Sequence, residues 1–294
     1  MKRKAVIIGV LLLLSVLVAS APQLFGEKTV KALNAAVIYS PNYWVGGVDY
    51  GDELTYTSQC ANTIMNLFST YGYNYGWLYN CQNSYATASS YSSHTQYAES
   101  HYDKVAVFSK GHCVPFGADN RAPWGVGDHF KLLDHYGNGV RDSYEIYPYT
   151  QGKHRFVYLW HCGTAFSYPT SYDGDGYTGM AYCWTRDNGM SLYGYSSSSG
   201  THVFIGFCNY SHQYRDPTGY GGHDYGYFVV RVFTYLLQYH YSVSTSLDRA
   251  SQDAFGQSSF TGTALYYGEY IGNPSLLSFM CVYGNGRGLG VPGY

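Results

Sequence analysis

Charged side chains are scarce in this chain. They make up 12% of its 294 residues, about half of the ~25% share that is usual in globular domains. The net charge is −2, so no basic surface predicts binding to nucleic acid or to an anionic membrane. The sequence also lacks Cys-x-x-Cys pairs and Cys/His pairs at zinc-ligand spacing, which argues against a structural zinc site.

Uncharged polar residues take the place of the missing charge. The chain has 36 tyrosines and 35 glycines, and 46% of its residues are hydrophobic, enough for a core. A Tyr-, Ser-, Gly- and Asn-rich surface is typical of extracellular proteins and suits contact with peptide or sugar. A compositional bias without functional meaning explains it equally well.

The N-terminus has the pattern of a secretory signal. Three basic residues precede an apolar run, residues 5 to 21, which ends in Ala19-Ser20-Ala21. We therefore predict a signal peptide at 1–21, a short leader at 22–34 and a single domain at 35–294. Pro22 is unfavourable just after a cleavage site, so the alternative is an uncleaved anchor. Either way we expect the domain to be secreted or tethered to the outer face of the membrane.

The cysteine count is odd. The seven are Cys60, Cys81, Cys113, Cys162, Cys183, Cys208 and Cys281. Exported proteins tend to pair their cysteines. We therefore expect up to three disulfide bonds and one remaining thiol, and a single thiol left in an exported protein is a candidate reactive group.

Apolar runs alternate with helical patterns along the chain. The predicted strands are 35–40, 75–80, 104–109, 155–160 and 201–207; the predicted helices are 60–71, 94–102, 226–241 and 242–256; and the predicted loops are 82–93 and 111–130. The strands are continuously apolar rather than alternating, which is typical of a parallel sheet covered on both faces. The expected fold class is therefore α/β.

Two chemically active residues follow two of these strands. His112 comes after the third strand and Cys162 after the fourth, and functional sites of parallel sheets form at the carboxyl ends of strands. A cysteine nucleophile needs a proton acceptor and an oxyanion hole, and the small residues after Cys162 leave room for a substrate carbonyl. Taken singly, Cys162 is equally well half of a disulfide and His112 a loop histidine. His161 is expected to point to the other side of its strand and to pack or support the site.

The motif Ser109-Lys110-Gly111-His112 after one apolar strand, and Cys162-Gly163 after another, resembles the caspase-like cysteine peptidases: caspases, metacaspases, legumains, clostripain and gingipains. The resemblance spans roughly residues 35 to 260. It implies a three-layer α/β/α sandwich with a mostly parallel sheet. It also implies that residues 35–294 form a catalytic domain that hydrolyses polypeptides through an acyl-enzyme, with no cofactor in the chemistry.

The same resemblance assigns roles to individual residues. Cys162 matches the nucleophile and His112 the general acid and base. The backbone N–H groups of Cys113 and Cys162 match the oxyanion hole, although the family usually has glycine at the position of Cys113. Asn42, in a short Ser-Pro-Asn stretch similar to the Ser-Asn of legumains, matches a residue that orients His112.

Four residues match positions that shape the specificity pocket in the family. They are Trp160, Asn209, Tyr210 and Ser211. Relatives that cleave after basic residues often carry an acidic residue at the position of Trp160, so the resemblance gives no basis for Arg or Lys specificity. The side chain recognised stays open.

Residues 134–145 partly match a calcium-binding loop. The matching ligand positions are Asp134, Asn138, Val140 (through its carbonyl), Asp142 and Glu145. Tyr136 occupies a position that should hold a ligand, and no helical pattern clearly flanks the loop. The alternatives are a structural Ca²⁺ site and a plain turn on Asn138-Gly139.

Two other functions fit the same residues. One is a catalytically inactive, Tyr-rich extracellular binding protein on the same fold. The other is a transpeptidase or ligase, because water and an amine compete for the same thioester.

Overall fold

A computed structural model describes residues 34–40, 53–71, 73, 80–116, 129–165, 179–187, 202–207, 211, 225–256, 265–269 and 277–284. The predicted signal peptide lies outside these residues, as do Asn42, Asn209 and Tyr210. In the part of the chain that is described, no helix is long and apolar enough to cross a membrane.

Ten strands and five α-helices are found in these residues. The strands are β1 (Asn34–Ser40), β2 (Asn80–Gln82), β3 (Lys104–Lys110), β4 (Cys113–Phe116), β5 (His129–Leu133), β6 (Gly139–Arg141), β7 (His154–Trp160), β8 (Val203–Phe207), β9 (Leu265–Glu269) and β10 (Leu277–Gly284). The helices are α1 (Glu53–Thr70), α2 (Ala88–His101), α3 (Gly179–Thr185), α4 (Tyr225–Leu237) and α5 (Val243–Phe255).

Seven of the strands form one sheet in the order β2-β1-β3-β7-β8-β10-β9. The first five run parallel, and β10 and β9 add an antiparallel edge. Helices α1, α4 and α5 pack on one face and helices α2 and α3 on the other. The prediction of a three-layer α/β/α sandwich with a mostly parallel sheet is confirmed.

The central strand β7 shows why the strand sequences are continuously apolar. Phe156, Tyr158 and Trp160 pack on the side of α1, α4 and α5, whereas Val157 and Leu159 pack on the side of α2 and α3. Since all five are fully buried, each contributes about 1.5–3 kcal/mol by removal from water. A polar residue at either face of β7 would lose this contribution.

Helix α2 begins earlier than the sequence predicts. Residues 82–93 are Ser- and Thr-rich and were expected to form a loop, but the helix starts at Ala88. The Thr87 side chain caps it by accepting the N–H of Ser90 at 3.1 Å, and Tyr91 lies on its buried face. Serines on the outer face hid the helical pattern, because they are weak helix formers.

A small antiparallel sheet, β4-β5-β6, was not predicted. Strand β4 begins one residue after His112, inside the segment 111–130 that was expected to be a loop. It pairs with β5, and β5 pairs with β6. The chain that leaves β3 is therefore held in a second sheet immediately after the candidate histidine.

The described cysteines are not disulfide-bonded. Cys60, Cys81, Cys113, Cys162 and Cys183 are all thiols. None of these five takes part in the disulfide bonds that the sequence predicts. Four of them are buried in the two cores, so burial rather than cross-linking keeps them out of reach.

Candidate active site

The pairing of β3 with β7 brings His112 and Cys162 to one place. The last pair in this parallel register is Lys110 with Trp160, and the N–H of Gly111 donates to the Trp160 carbonyl at 3.3 Å. His112 lies two residues after Lys110, and Cys162 lies two residues after Trp160. The two residues therefore leave neighbouring strands side by side, at the carboxyl edge of the parallel sheet.

Cys162 is a half-buried thiol in the turn that follows β7. The backbone N–H of Ser211 donates to its Sγ at 3.3 Å, and the Ser211 Oγ lies 3.5 Å from the same sulfur. The resemblance predicts Ser211 as a wall of the specificity pocket, and the structure places it in contact with Cys162 Sγ.

Two glycines allow the Cys162 turn to form and to dock. Gly163 has φ 68°, a conformation that favours glycine. Ala165 donates its N–H to the Phe207 carbonyl at 2.9 Å, which ties the turn to β8. A Cβ added to Gly206 would lie 2.8 Å from Thr164 Oγ1, so this close approach also requires glycine.

The backbone of His112 is fixed by two hydrogen bonds. Its carbonyl accepts the N–H of Leu133 at 2.9 Å and the Nδ1–H of His161 at 3.0 Å. His112 is half-buried. His112 is thereby held between the main sheet and the small one.

Cys113 presents its N–H away from β5. Cys113 is paired with Leu132 in the antiparallel register. Because the N–H of Leu133 donates to the carbonyl of His112, Cys113 and Leu132 form a non-hydrogen-bonded pair. In such a pair the N–H points away from the partner strand. Burial raises the pKa of the Cys113 thiol well above its ordinary value, and the nearby charge of Cys162 raises it further. The Cys113 side chain is therefore protonated, and its N–H remains suited to an oxyanion hole.

Trp160 is fully buried beneath the site. Its ring lies 5.2 Å from that of Tyr225, and the Lys110 Nζ lies 5.0 Å from its centroid. The residue packs in the core, and its side chain has no exposed surface with which to line a pocket.

The segment predicted to bind calcium covers the turn between β5 and β6, strand β6 and most of the helical turn Asp142–Ile146. The buried Asp134 carboxylate accepts the N–H groups of Ala88, Tyr136 and Asn138 at 2.7–3.0 Å. Glu145 pairs with Arg141 at 2.7 Å. Strands rather than helices flank the turn, and among the described residues no group of three His, Cys, Asp or Glu side chains is arranged to hold a metal. Calcium binding stays a prediction.

The fold and the site together define an α/β sandwich with a thiol and an imidazole at adjacent strand ends. No family model matches the chain, and no curated protein or solved structure matches it either.

Proposed function

We propose that this protein is an exported cysteine endopeptidase that works through a Cys162–His112 dyad, with the architecture of the caspase-like peptidases. The observation that carries the proposal is the β3–β7 register, which gives His112 and Cys162 equivalent positions at the carboxyl edge of the sheet. The half-buried, reduced state of Cys162 supports it, because a nucleophile must be both protected and reachable.

The reaction divides into two acyl transfers. Cys162 Sγ attacks the scissile carbonyl carbon while His112 takes the thiol proton. The C–N bond then breaks, and His112 gives the proton to the leaving amine. Water, activated by the same imidazole, hydrolyses the thioester and restores the thiol.

The developing negative charge falls on the carbonyl oxygen of the substrate. The N–H groups of Cys113 and Cys162 are the donors in this proposal, and the Cys113 N–H is not taken up by pairing with β5. Ser211 donates its N–H to Cys162 Sγ, and in this proposal that bond stabilises the negative charge that develops on sulfur as His112 takes the proton. No metal or cofactor takes part in these steps, and the substrate is a polypeptide in extended form.

The surface tyrosines favour one alternative, a binding protein without activity. The exposed large hydrophobic side chains among the described residues are all tyrosines, namely Tyr85, Tyr136, Tyr144, Tyr227 and Tyr239. Such rings suit contact with sugars or peptides. This alternative predicts binding that is independent of Cys162.

Digestion of a peptide library separates these functions. The purified domain is expected to release new termini, and Cys162→Ala is expected to release none. Cys60→Ala is the matched control, because it also removes a thiol, and that thiol is buried in α1 on one face of the sheet. Equal cleavage by wild type and Cys162→Ala, or no cleavage by folded wild type, contradicts the proposal. Added amine nucleophile shows by product mass whether the thioester is transferred as well as hydrolysed.

A further inference from the structure

A continuous row of buried hydrogen bonds ends at the backbone of His112. The Tyr91 hydroxyl lies 2.9 Å from Ser109 Oγ, and Ser109 Oγ lies 2.7 Å from His161 Nε2. His161 Nδ1 lies 3.0 Å from the His112 carbonyl oxygen. The side chains of Tyr91, Ser109 and His161 are all fully buried, so water does not compete for these bonds.

The direction of every bond in the row is determined. The His112 carbonyl only accepts, so His161 Nδ1 carries the proton. Neutral imidazole then has a lone pair on Nε2, which accepts the O–H of Ser109. Ser109 Oγ in turn accepts the O–H of Tyr91. The His112 carbonyl thus fixes the tautomer of His161, and Ser109 and Tyr91 complete the row behind it.

His161 keeps this arrangement over a wide pH range. Burial is the main cause that lowers its pKa to about 3; the bond to the His112 carbonyl opposes this effect, and the positive charges of Lys110 and His112 add to it. The imidazole is therefore neutral whatever the charge on His112 during a reaction cycle.

The bond to the His112 carbonyl has a consequence one atom further along the chain. The C=O of His112 and the N–H of Cys113 belong to one planar trans peptide group and point in opposite directions. Whatever orients the carbonyl also orients the N–H. His161 and Leu133 hold the carbonyl from one side, which leaves the Cys113 N–H directed away from them.

We propose that Tyr91, Ser109 and His161 are positioning residues, which hold the His112–Cys113 peptide so that the Cys113 N–H meets the oxygen of the carbonyl attacked by Cys162. This inference rests on the proposed peptidase function. It assigns a role to His161 and to two residues, Tyr91 and Ser109, that lie on separate elements, α2 and β3.

Two substitutions of His161 separate positioning from packing. In His161→Asn the side-chain N–H occupies the place of Nδ1 and still donates to the His112 carbonyl. In His161→Gln the amide reaches toward Ser109 instead and leaves that carbonyl. Tyr91→Phe removes the hydroxyl that begins the row, farthest from His112. Tyr158→Phe is the control for this variant, because it also removes a buried tyrosine hydroxyl, one that bonds to Met280 on the opposite face of the sheet.

The readouts are kcat and KM for a peptide substrate, and the rate of alkylation of Cys162 by iodoacetamide. Peptide hydrolysis needs the oxyanion hole, whereas alkylation forms no oxyanion. We expect His161→Gln to lower kcat by roughly 10–100-fold with KM and the alkylation rate little changed. We expect His161→Asn to remain within about fivefold of wild type. Tyr91→Phe is expected to lower kcat by more than Tyr158→Phe.

Equal kcat values for His161→Asn and His161→Gln, or a parallel loss of alkylation in His161→Gln, overturn the inference while the dyad stands. If alkylation of wild-type Cys162 does not depend on His112, the proposed function fails instead. In that case, or if the variants do not fold, ¹⁵N NMR of His161 in the wild-type protein tests the row of hydrogen bonds. A proton on Nδ1 supports the proposed bond directions, and a proton on Nε2 overturns them.

Discussion

His112 and Cys162 occupy equivalent positions on two adjacent parallel strands, each two residues beyond the last pair of the register. They are fifty residues apart in the sequence. The sheet brings their backbones together because β3 and β7 pair in register over Ala106–Lys110. The predictions that follow test what surrounds this pair.

Replacement of Cys113 by alanine is expected to leave peptide cleavage nearly unchanged. The proposed role of this residue belongs to its backbone N–H, which alanine retains, and burial keeps its thiol protonated. We expect kcat for Cys113→Ala within about threefold of wild type, since no oxyanion donor is lost. A loss as complete as that of Cys162→Ala would instead make Cys113 the nucleophile.

Ser211 offers a test of the donor to sulfur. Ser211→Ala keeps the N–H that lies 3.3 Å from Cys162 Sγ, so the rate of alkylation by iodoacetamide should change little. Ser211→Pro removes that N–H. Because a hydrogen bond to a charged group contributes about 1.5–3 kcal/mol, alkylation of the proline variant at neutral pH should slow by about tenfold or more. Equal rates in the two variants would show that the bond does not act on the thiolate.

Asp134 is expected to stabilise the β5–β6 hairpin without calcium. Its carboxylate accepts several N–H groups of the turn and one from the start of α2, so Asp134→Ala should lower the free energy of unfolding by about 2–4 kcal/mol. Urea denaturation in EDTA and in millimolar calcium measures this. Identical wild-type denaturation curves in the two buffers would show that the hairpin is stable without calcium. A large stabilisation by calcium would support the metal site.

The buried pair Glu99–His154 should make the fold sensitive to acid. Burial alone would raise the pKa of Glu99, but the bond with His154 at 2.7 Å and backbone N–H groups outweigh it, so the pKa lies below its ordinary value of 4.5. A depressed carboxyl pKa stabilises the fold above the unfolded-state pKa, and the stabilisation is lost as the pH falls through the folded-state pKa.

Thermal unfolding between pH 6 and pH 3 tests this pair. Wild-type Tm is expected to fall steeply below about pH 4.5, and Glu99→Gln should have a lower Tm at pH 6 with a shallower fall. Removal of the surface pair Arg231–Asp253 is the control, since exposed ion pairs contribute little to the free energy of unfolding. Parallel pH curves for wild type and Glu99→Gln would show that Glu99 is not responsible.

The sequence predicts the main sheet well and the surroundings of the site poorly. Strand β7 was predictable because both of its faces are buried, which leaves an uninterrupted apolar run from Phe156 to Trp160. Strands β4 and β6 have only four and three residues, so they left no such signal. The antiparallel strands β9 and β10 were missed for the same lack of a distinctive pattern.

The candidate site shows the same division. Cys162 and His112 were identifiable because each directly follows a predictable strand. The contact of Ser211 with Cys162 depends on the approach of distant chain to the turn, which no local pattern records. The bond from Tyr91 to Ser109 joins the first part of α2, which the sequence predicts as a loop, to a strand, and only the packed structure shows it.

The central claim is that the imidazole of His112 controls the reactivity of the thiol of Cys162. The most direct test is the rate of iodoacetamide alkylation at Cys162, located by peptide mapping, in wild type and in His112→Ala at pH 6.5. The account predicts that labelling of the folded wild type is confined to Cys162 among the described cysteines and slows at least tenfold in His112→Ala. Equal rates in the two proteins would contradict it.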